Sequence, residues 1–304
     1  MAVAAIDVGG TKTRVEIFSG REEPLESTTF ETPRDGDVAG RVGEAVLALA
    51  AGERIEAAAA ASPGPLDPRG GVILNPPNLS GEWWGLEFAG RMEEILGCPA
   101  ALENDANLGA LGEAVYGGGR GYGSVLYITV STGVGTGLVV GGVIFGGSRG
   151  FAAELGHTVI TDDERVCGCG RRGCVEAVAS GTAIARRALE TGWAPQDGGE
   201  VTALAVATAA ASGDRRALAV LSEAAGYLGR AIVNFVYAYD PEVVLLGGGV
   251  AQSDLFMRLV AEAVDAEPIM PAFRGVPVAR GALGERSVVC GARVLAERLA
   301  KRGA

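Results

Sequence analysis

Cys167, Cys169 and Cys174 fall within eight residues, interleaved with glycines and flanked by Arg165, Arg171 and Arg172. His157, the single histidine of the chain, stands ten residues before the first of them. Three thiolates and one imidazole are the donor set of a closed tetrahedral zinc site, in which every position is used and the metal organises a loop rather than doing chemistry. Buried reduced thiols are the plain alternative, and Cys98 and Cys290 suit that role. Cysteines alternating with glycine beside arginines do not look like core.

A second set of residues suits a triphosphate. Gly9-Gly10-Thr11-Lys12 and Thr132-Gly133-Val134-Gly135-Thr136 each follow an apolar run. Glycine lets backbone N–H groups approach an anion with no Cβ in the way, and threonine adds a hydroxyl donor. Asp7 ends the first apolar run, placed to hold Mg²⁺ through water, because this ion keeps much of its hydration shell. Gly247-Gly248-Gly249 follows another buried run. A ligand-free hairpin turn would explain any one of these clusters. Both turns, Asp7 and the third glycine run together favour a nucleotide. The pattern GxxxxGK[ST] does not occur, which excludes a P-loop.

These residues need strands and helices to carry them. Residues 2–7 are an apolar run, VGGTK makes a turn, and Thr13–Phe18 alternates with Val15 and Ile17 on one face, which reads as a hairpin. Helices are expected at 38–51, 86–97 and about 106–115, with strands at 55–61 and 100–103 and an edge strand at 72–74. Asn104-Asp105 stand where strand meets helix, a position both residue types favour as N-caps. Residues 121–148 carry no charge and are long enough to cross a bilayer, yet their glycines, hydroxyls and β-branched residues read as two buried strands, 124–146, joined by a glycine turn. Helices follow near 176–190, 201–211 and 215–239, then a strand at 242–246, a helix to about 264, a strand at 276–279 and a helix at 287–301. The alternation gives an α/β class. AIDVGGTKTRVEIF and YITVSTGVGTGLVV share a strand–turn–strand plan, which suggests duplicated lobes facing one ligand across a cleft.

Composition bounds the rest. A chain of 304 residues, 48% apolar and 21% charged, is globular and of about two-domain length. With 26 basic against 37 acidic residues the net charge is −11, and no basic stripe exists to neutralise phosphates, so a nucleic-acid partner is not expected. No membrane partner is expected either. The first residues, MAVAAIDVGG, lack the basic region of a signal peptide, and crowded cysteines without such a signal favour a metal over disulfides, so the expected compartment is the cytoplasm.

Asp7-Val8-Gly9-Gly10-Thr11-Lys12, Glu103-Asn104-Asp105-Ala106-Asn107, Glu154-Leu155-Gly156-His157 and Cys167-x-Cys169-Gly170-x-x-Gly173-Cys174-x-Glu176 occur in the order found in ROK-family sugar kinases. The whole chain resembles that family and is most like a bacterial glucokinase. The resemblance implies an actin-like (ribonuclease H-like) ATPase fold of two lobes with an interdomain cleft and a zinc-bearing loop. The expected lobes are 1–116, joined by the C-terminal helix at about 288–304, and 117–287 with the zinc loop. It implies Asp105 as catalytic base, and Asn104, Glu154, His157 and Glu176 as ligands of sugar hydroxyls, with His157 giving one ring nitrogen to zinc and the other to the sugar. Gly64, in Pro63-Gly64-Pro65, and Asn78, in Asn78-Leu79-Ser80-Gly81, would wall the sugar. ATP, catalytic Mg²⁺ and structural Zn²⁺ are the implied cofactors, a hexose the substrate, and a homodimer or homotetramer the assembly. The chain departs from the family at Ala59 and Ala61, where glycines are usual, and at Glu82, inserted before Trp83. Both departures touch the sugar side.

The chemistry agrees with the resemblance. A sugar 6-hydroxyl is a poor nucleophile, so a carboxylate within hydrogen-bond reach must take its proton as attack develops, while positioning and Mg²⁺ do the remaining work. Asp105 could instead serve only as a helix cap. The expected reaction is transfer from ATP to the 6-hydroxyl of glucose. Kinases for N-acetylglucosamine, N-acetylmannosamine, fructose or allose are the alternatives, since these sugars differ at one or two ring substituents. A non-catalytic ROK sugar sensor would carry a DNA-binding arm before the first hairpin, and that hairpin starts at residue 3. A catalytically silent relative is disfavoured by Asp105 and the two turns.

Overall fold

The structure, a computed structural model, describes residues 2–303. They divide into two compact units, one of residues 2–120, 142–152 and 285–303, the other of residues 121–141 and 153–284.

The first unit is built on β1 (Ala2–Val8), β2 (Lys12–Phe18), β3 (Glu26–Glu31), β4 (Ile55–Ser62) and β7 (Ala100–Asn104), in the sheet order β3-β2-β1-β4-β7. β1 pairs antiparallel with β2 and parallel with β4, which pairs parallel with β7. Every β1 residue except Asp7 is buried, so the strand shows no alternation, as expected where both faces of a sheet are covered. Around it lie α1 (Val38–Ala50), α2 (Phe88–Leu96), α3 (Asp105–Tyr116) and α9 (Ser287–Gly303). The edge strand expected at 72–74 is β6 (Val72–Ile73), which forms a small hairpin with β5 (Leu66–Asp67), and β10 (Val143–Ile144) is a further short strand. α9 packs on α3 and against β1 and β4. The two helices approach through glycine: a Cβ on Gly291 would overlap the Leu108 carbonyl, and one on Gly112 the Ser287 carbonyl.

The second unit repeats the plan. β8 (Ser124–Val130) and β9 (Val134–Val140) form an antiparallel hairpin, and β11 (Val243–Gly247) extends β8 in parallel, followed by β12 (Val278–Arg280). The echo read between the two strand–turn–strand segments is therefore an echo of topology. α4 (Val175–Ala179), α5 (Gly181–Glu190), α6 (Ala203–Ala211), α7 (Arg215–Tyr239) and α8 (Asp254–Ala266) complete the unit. Buried Leu221, Leu228, Ile232 and Phe235 of α7 join Leu126, Ile128 and Leu246 of the strands in one core.

Two local expectations need correction, and a third holds. The helix expected over 176–190 is two, because Ser180 is extended and its Oγ accepts the Ala183 amide as the N-cap of α5. β3, Glu-Ser-Thr-Thr-Phe-Glu, was not anticipated; an edge strand open on one side needs little apolar signal. The uncharged stretch 121–148 forms β8, β9 and β10, and among the described residues no helix is long and apolar enough to cross a membrane.

Candidate functional site

In the first unit the parallel register sets Asp7 beside Ala61 and Ser62 beside Asn104, so Asp7, Gly64 and the Asn104-Asp105 pair all lie at the carboxyl ends of β1, β4 and β7. That edge is where open α/β sheets bind ligands. Asn104 caps α3: its Oδ1 accepts the amides of Ala106 at 2.9 Å and Asn107 at 3.3 Å. Asp105 is the first helical residue, and its Oδ1 accepts the Ala106 amide at 2.8 Å. Glu103 braces the junction from behind, its Oε1 accepting the Asn104 amide at 2.8 Å and the Asn107 side-chain amide at 3.0 Å, while burial raises its pKa above the ordinary range. A Cβ on Gly64 would sit 3.4 Å from the Asn104 side-chain nitrogen, in ordinary contact, so Gly64 lies beside the cap.

Asp7 is held unusually proton-hungry. Burial, then the charge of Asp105, lifts its pKa to about 7 against the partial opposition of Arg14. The turn that follows is closed by the Gly9 amide donating to the Lys12 carbonyl at 2.9 Å. A Cβ on Gly10 would come 2.9 Å from the Asn78 carbonyl, which brings two predicted site residues together. Beside them is a cavity of about 170 Å³ lined by Gly10, Thr32, Arg34, Asn78 and Ser80 among others. Thr11 and Lys12 stand exposed on the turn.

In the second unit the glycine turn is shorter than expected. It spans 131–133, closed by the Ser131 amide on the Gly133 carbonyl, and Gly181 at the start of α5 donates to the Ser131 carbonyl at 2.7 Å. Thr136 belongs to β9 and is buried, so it does not face the turn. Its hydroxyl donates to the Ala153 carbonyl and accepts the Leu155 amide, bracing the bend that presents Glu154. Ala153 itself sits at φ +67°, a left-handed conformation that costs energy in a non-glycine residue and concentrates at functional sites.

Glu154, His157 and Glu176 converge. Partial dehydration raises the pKa of Glu154, with His157 opposing and Glu176 reinforcing the shift. Glu176 lies in α4; its Oε2 accepts the Val134 amide at 3.2 Å, and a Cβ on Gly133 would stand 2.5 Å from the same oxygen. Its other oxygen, Oε1, accepts from the Cys167 thiol at 3.4 Å and lies 3.9 Å from His157 Nδ1. The Glu176–Val134 bond was invisible in the sequence, spanning 42 residues without a shared motif.

His157, Cys167 and Cys169 place their donor atoms within 4.8 Å of one another. Cys174 stands just outside that trio, its Sγ 3.8 Å from Cys169 Sγ and 3.4 Å from the His157 carbonyl. Tetrahedral zinc with bonds of ~2.3 Å to sulfur sets its sulfurs ~3.8 Å apart. The 3.8 Å between Cys169 and Cys174 and the 3.4 Å between Cys167 Sγ and His157 Nδ1 fit that polyhedron. Burial pushes the Cys167 thiol up to about 12, so thiols this close ionise together only beside a compensating cation. His157, Cys167 and Cys169 thus suit three corners of such a polyhedron, and Cys174 has the spacing of the fourth to Cys169.

The third glycine run behaves differently. A Cβ on Gly247 would strike the Tyr127 hydroxyl, and Gly248, at φ +82°, lies against the Val130 carbonyl, so packing explains both. Gly249 alone opens onto free space. Thr132 is exposed.

The ROK family model matches residues 3–299. The glucokinase of Thermotoga maritima is 33% identical over 98% of each chain, and an N-acetylmannosamine kinase of Yersinia pestis is 34% identical, covering 90% of this chain and 91% of its own. Among solved structures, a ROK hexokinase from Thermus thermophilus covers all of both chains at 36% identity and a TM-score of 0.88. A ROK glucokinase from Streptomyces griseus, solved with glucose and AMPPNP, covers 98% of this chain and 100% of its own at 28% identity and a TM-score of 0.83.

Proposed function

The chain belongs to the ROK family and has its actin-like ATPase fold, and on that premise we propose that it is an ATP-dependent hexose kinase acting on the 6-hydroxyl of glucose. Asp105 takes the proton of the 6-hydroxyl as the sugar oxygen bonds to the γ-phosphorus and the bond to the ADP oxygen breaks. Asn104, Glu154, His157 and Glu176 hold ring hydroxyls, with Gly64 and Asn78 walling the sugar. The turn Gly9-Gly10-Thr11-Lys12, with Thr132 and Gly133, takes the phosphates through backbone amides. Of the run Gly247-Gly248-Gly249, the last has the open face a nucleotide needs.

The observation that carries this reading is the placement of Asp7 and of the Asn104-Asp105 pair at the carboxyl edge of one sheet, where the charge of Asp105 adds to burial in raising the pKa of Asp7. Two carboxylates at one edge, one of them with its proton affinity raised, mark a place suited to a cation. Asp7 would hold the hydrated Mg²⁺ that accompanies ATP, and that ion, when bound, neutralises charge on the transferring phosphoryl group. His157, Cys167, Cys169 and Cys174 would hold zinc, which orders the loop that presents His157 and Glu176. Thiols serving as metal ligands suit a reducing compartment, and we place the enzyme in the cytoplasm, as a homodimer or homotetramer.

ADP release from Mg-ATP across a panel of hexoses and N-acetylhexosamines tests the reading. Glucose is expected to give the highest kcat/KM, and absence of turnover with every sugar would overturn it. A preference for N-acetylmannosamine would establish the second reading, which the Yersinia pestis relative favours; the departures at Ala59, Ala61 and Glu82 bear on the sugar side in either reading.

A further inference from the structure

The cavity of about 580 Å³ in the second unit is lined by charged groups of the segment before Cys167 and of α5 and α7, and the reaction above uses none of them. It is not a ligand site, because its charges satisfy one another. Arg165 grips Asp163 through two nitrogens, at 2.8 and 2.7 Å, and reaches Glu223 of α7 at 3.0 Å; Glu223 in turn accepts from Arg187 of α5 at 2.8 Å. Arg165 also lies over the Tyr227 ring, 5.9 Å from its centroid, and its side chain is only 13% exposed.

The consequence lies in what Arg165 carries. Its carbonyl accepts the Gly173 amide at 3.1 Å, Val166 bridges Arg172, and the Cys167 amide donates to the Arg171 carbonyl at 2.8 Å. The remaining hydrogen bonds of residues 159–174 likewise close within 157–176, and Gly168 and Gly170 face open space. The Arg165–Glu223 bond thus ties this cysteine-bearing segment to α7, beside the Cys167–Glu176 contact with α4 and the packing of Ile160 on the core. Two residues on, Cys167 touches both His157 and Glu176.

We propose that Arg165 is a positioning residue: clamped by Glu223, it holds the cysteine segment so that the metal set stays closed and His157 and Glu176 keep the geometry that binds the hexose. Its catalytic consequence rests on the kinase reading; its mechanical part does not. A charge-assisted hydrogen bond between partly buried groups, such as Arg165–Glu223, is worth about tenfold in an equilibrium.

The test uses the zinc-loaded full chain and the variants Arg165→Ala, Arg165→Lys and Glu223→Gln. Zinc release to a chromogenic chelator and amide hydrogen exchange over residues 159–174 are followed beside steady-state kinetics. For Arg165→Ala, release and exchange are expected to quicken about tenfold and the hexose KM to rise about tenfold, with kcat and the KM for ATP within about twofold. Arg165→Lys should recover part of each effect, and Glu223→Gln should reproduce a smaller version. A folded Arg165→Ala protein with wild-type release, exchange and hexose KM overturns the proposal; if that variant does not fold, the same null result in Glu223→Gln does so. A wild-type chain that phosphorylates no hexose defeats the kinase reading alone, because release and exchange still report on the clamp.

Discussion

Glu176 accepts the Val134 backbone amide at 3.2 Å with one carboxylate oxygen and the Cys167 thiol at 3.4 Å with the other. One side chain therefore joins the glycine turn proposed for the phosphates to the cysteine cluster proposed for zinc. Removing it should disturb both. Glu176→Ala is expected to raise KM for hexose and for ATP together, each about tenfold, and Gly133→Ala, whose Cβ would press on Oε2 from 2.5 Å, should raise KM for ATP. Steady-state kinetics with each substrate varied in turn checks this; an ATP KM unchanged in both variants would break the link.

Asp105→Asn keeps the shape of the α3 N-terminus and still accepts a hydrogen bond from Ala106. Only the proton-accepting charge is lost. kcat should fall by about 10²–10⁴-fold with glucose affinity, measured calorimetrically, nearly unchanged. Wild-type turnover would remove Asp105 as base and leave it a cap.

Asp7 makes stability depend on pH in an unusual direction. Its pKa is 3.8 unfolded and about 7 folded, so between those values the native state binds more protons than the unfolded one and stability falls as pH rises, levelling above about 7. A shift of about three units sets an upper bound near 4 kcal/mol, which partial exposure of the carboxylate reduces. Urea unfolding at pH 5 and pH 8, without Mg²⁺ or nucleotide, should show the loss in wild type and a smaller one in Asp7→Asn. Equal losses in the two proteins would count against it.

Elemental analysis of the purified chain should find about one zinc, and Cys174→Ser should lose it to a chelator faster than wild type does. A metal-free protein with full activity would refute the structural role of the cluster.

Packing gives a prediction independent of function. Gly291→Ala places a methyl against the Leu108 carbonyl at the α3–α9 contact, where backbone must move to admit it. The expected cost is about 1–3 kcal/mol in denaturant unfolding. An unaffected midpoint would mean that the helices separate freely.

Much of this was legible because special residues mark special backbone. Gly9-Gly10 announced a turn that a side chain would block, and Asn104-Asp105 announced a cap at the end of a strand. What stayed hidden depends on contacts far apart in the chain. Where the second turn ends is decided by pairing of β8 with β9, so Thr136 looked like part of the turn when its hydroxyl braces Ala153. Gly247, assigned to the nucleotide, also has a packing role that the sequence does not show, against Tyr127 on a neighbouring strand. Ser180 divides a helix because its hydroxyl caps one, a choice that depends on where Gly181 meets Ser131. Glu103 ends the strand expected over 100–103, and its bonds to Asn104 and Asn107 show that it also shapes the Asp105 junction.

The packing of α9 on α3, β1 and β4 has a bearing on biosynthesis. During translation the helix headed by Asp105 leaves the ribosome early, but the surface that buries its glycine face is encoded after the whole of residues 153–284. A nascent chain therefore carries Asp105 on an unfinished scaffold until α9 emerges, and competence for phosphoryl transfer arrives late, when the first strands and the last helix close on each other.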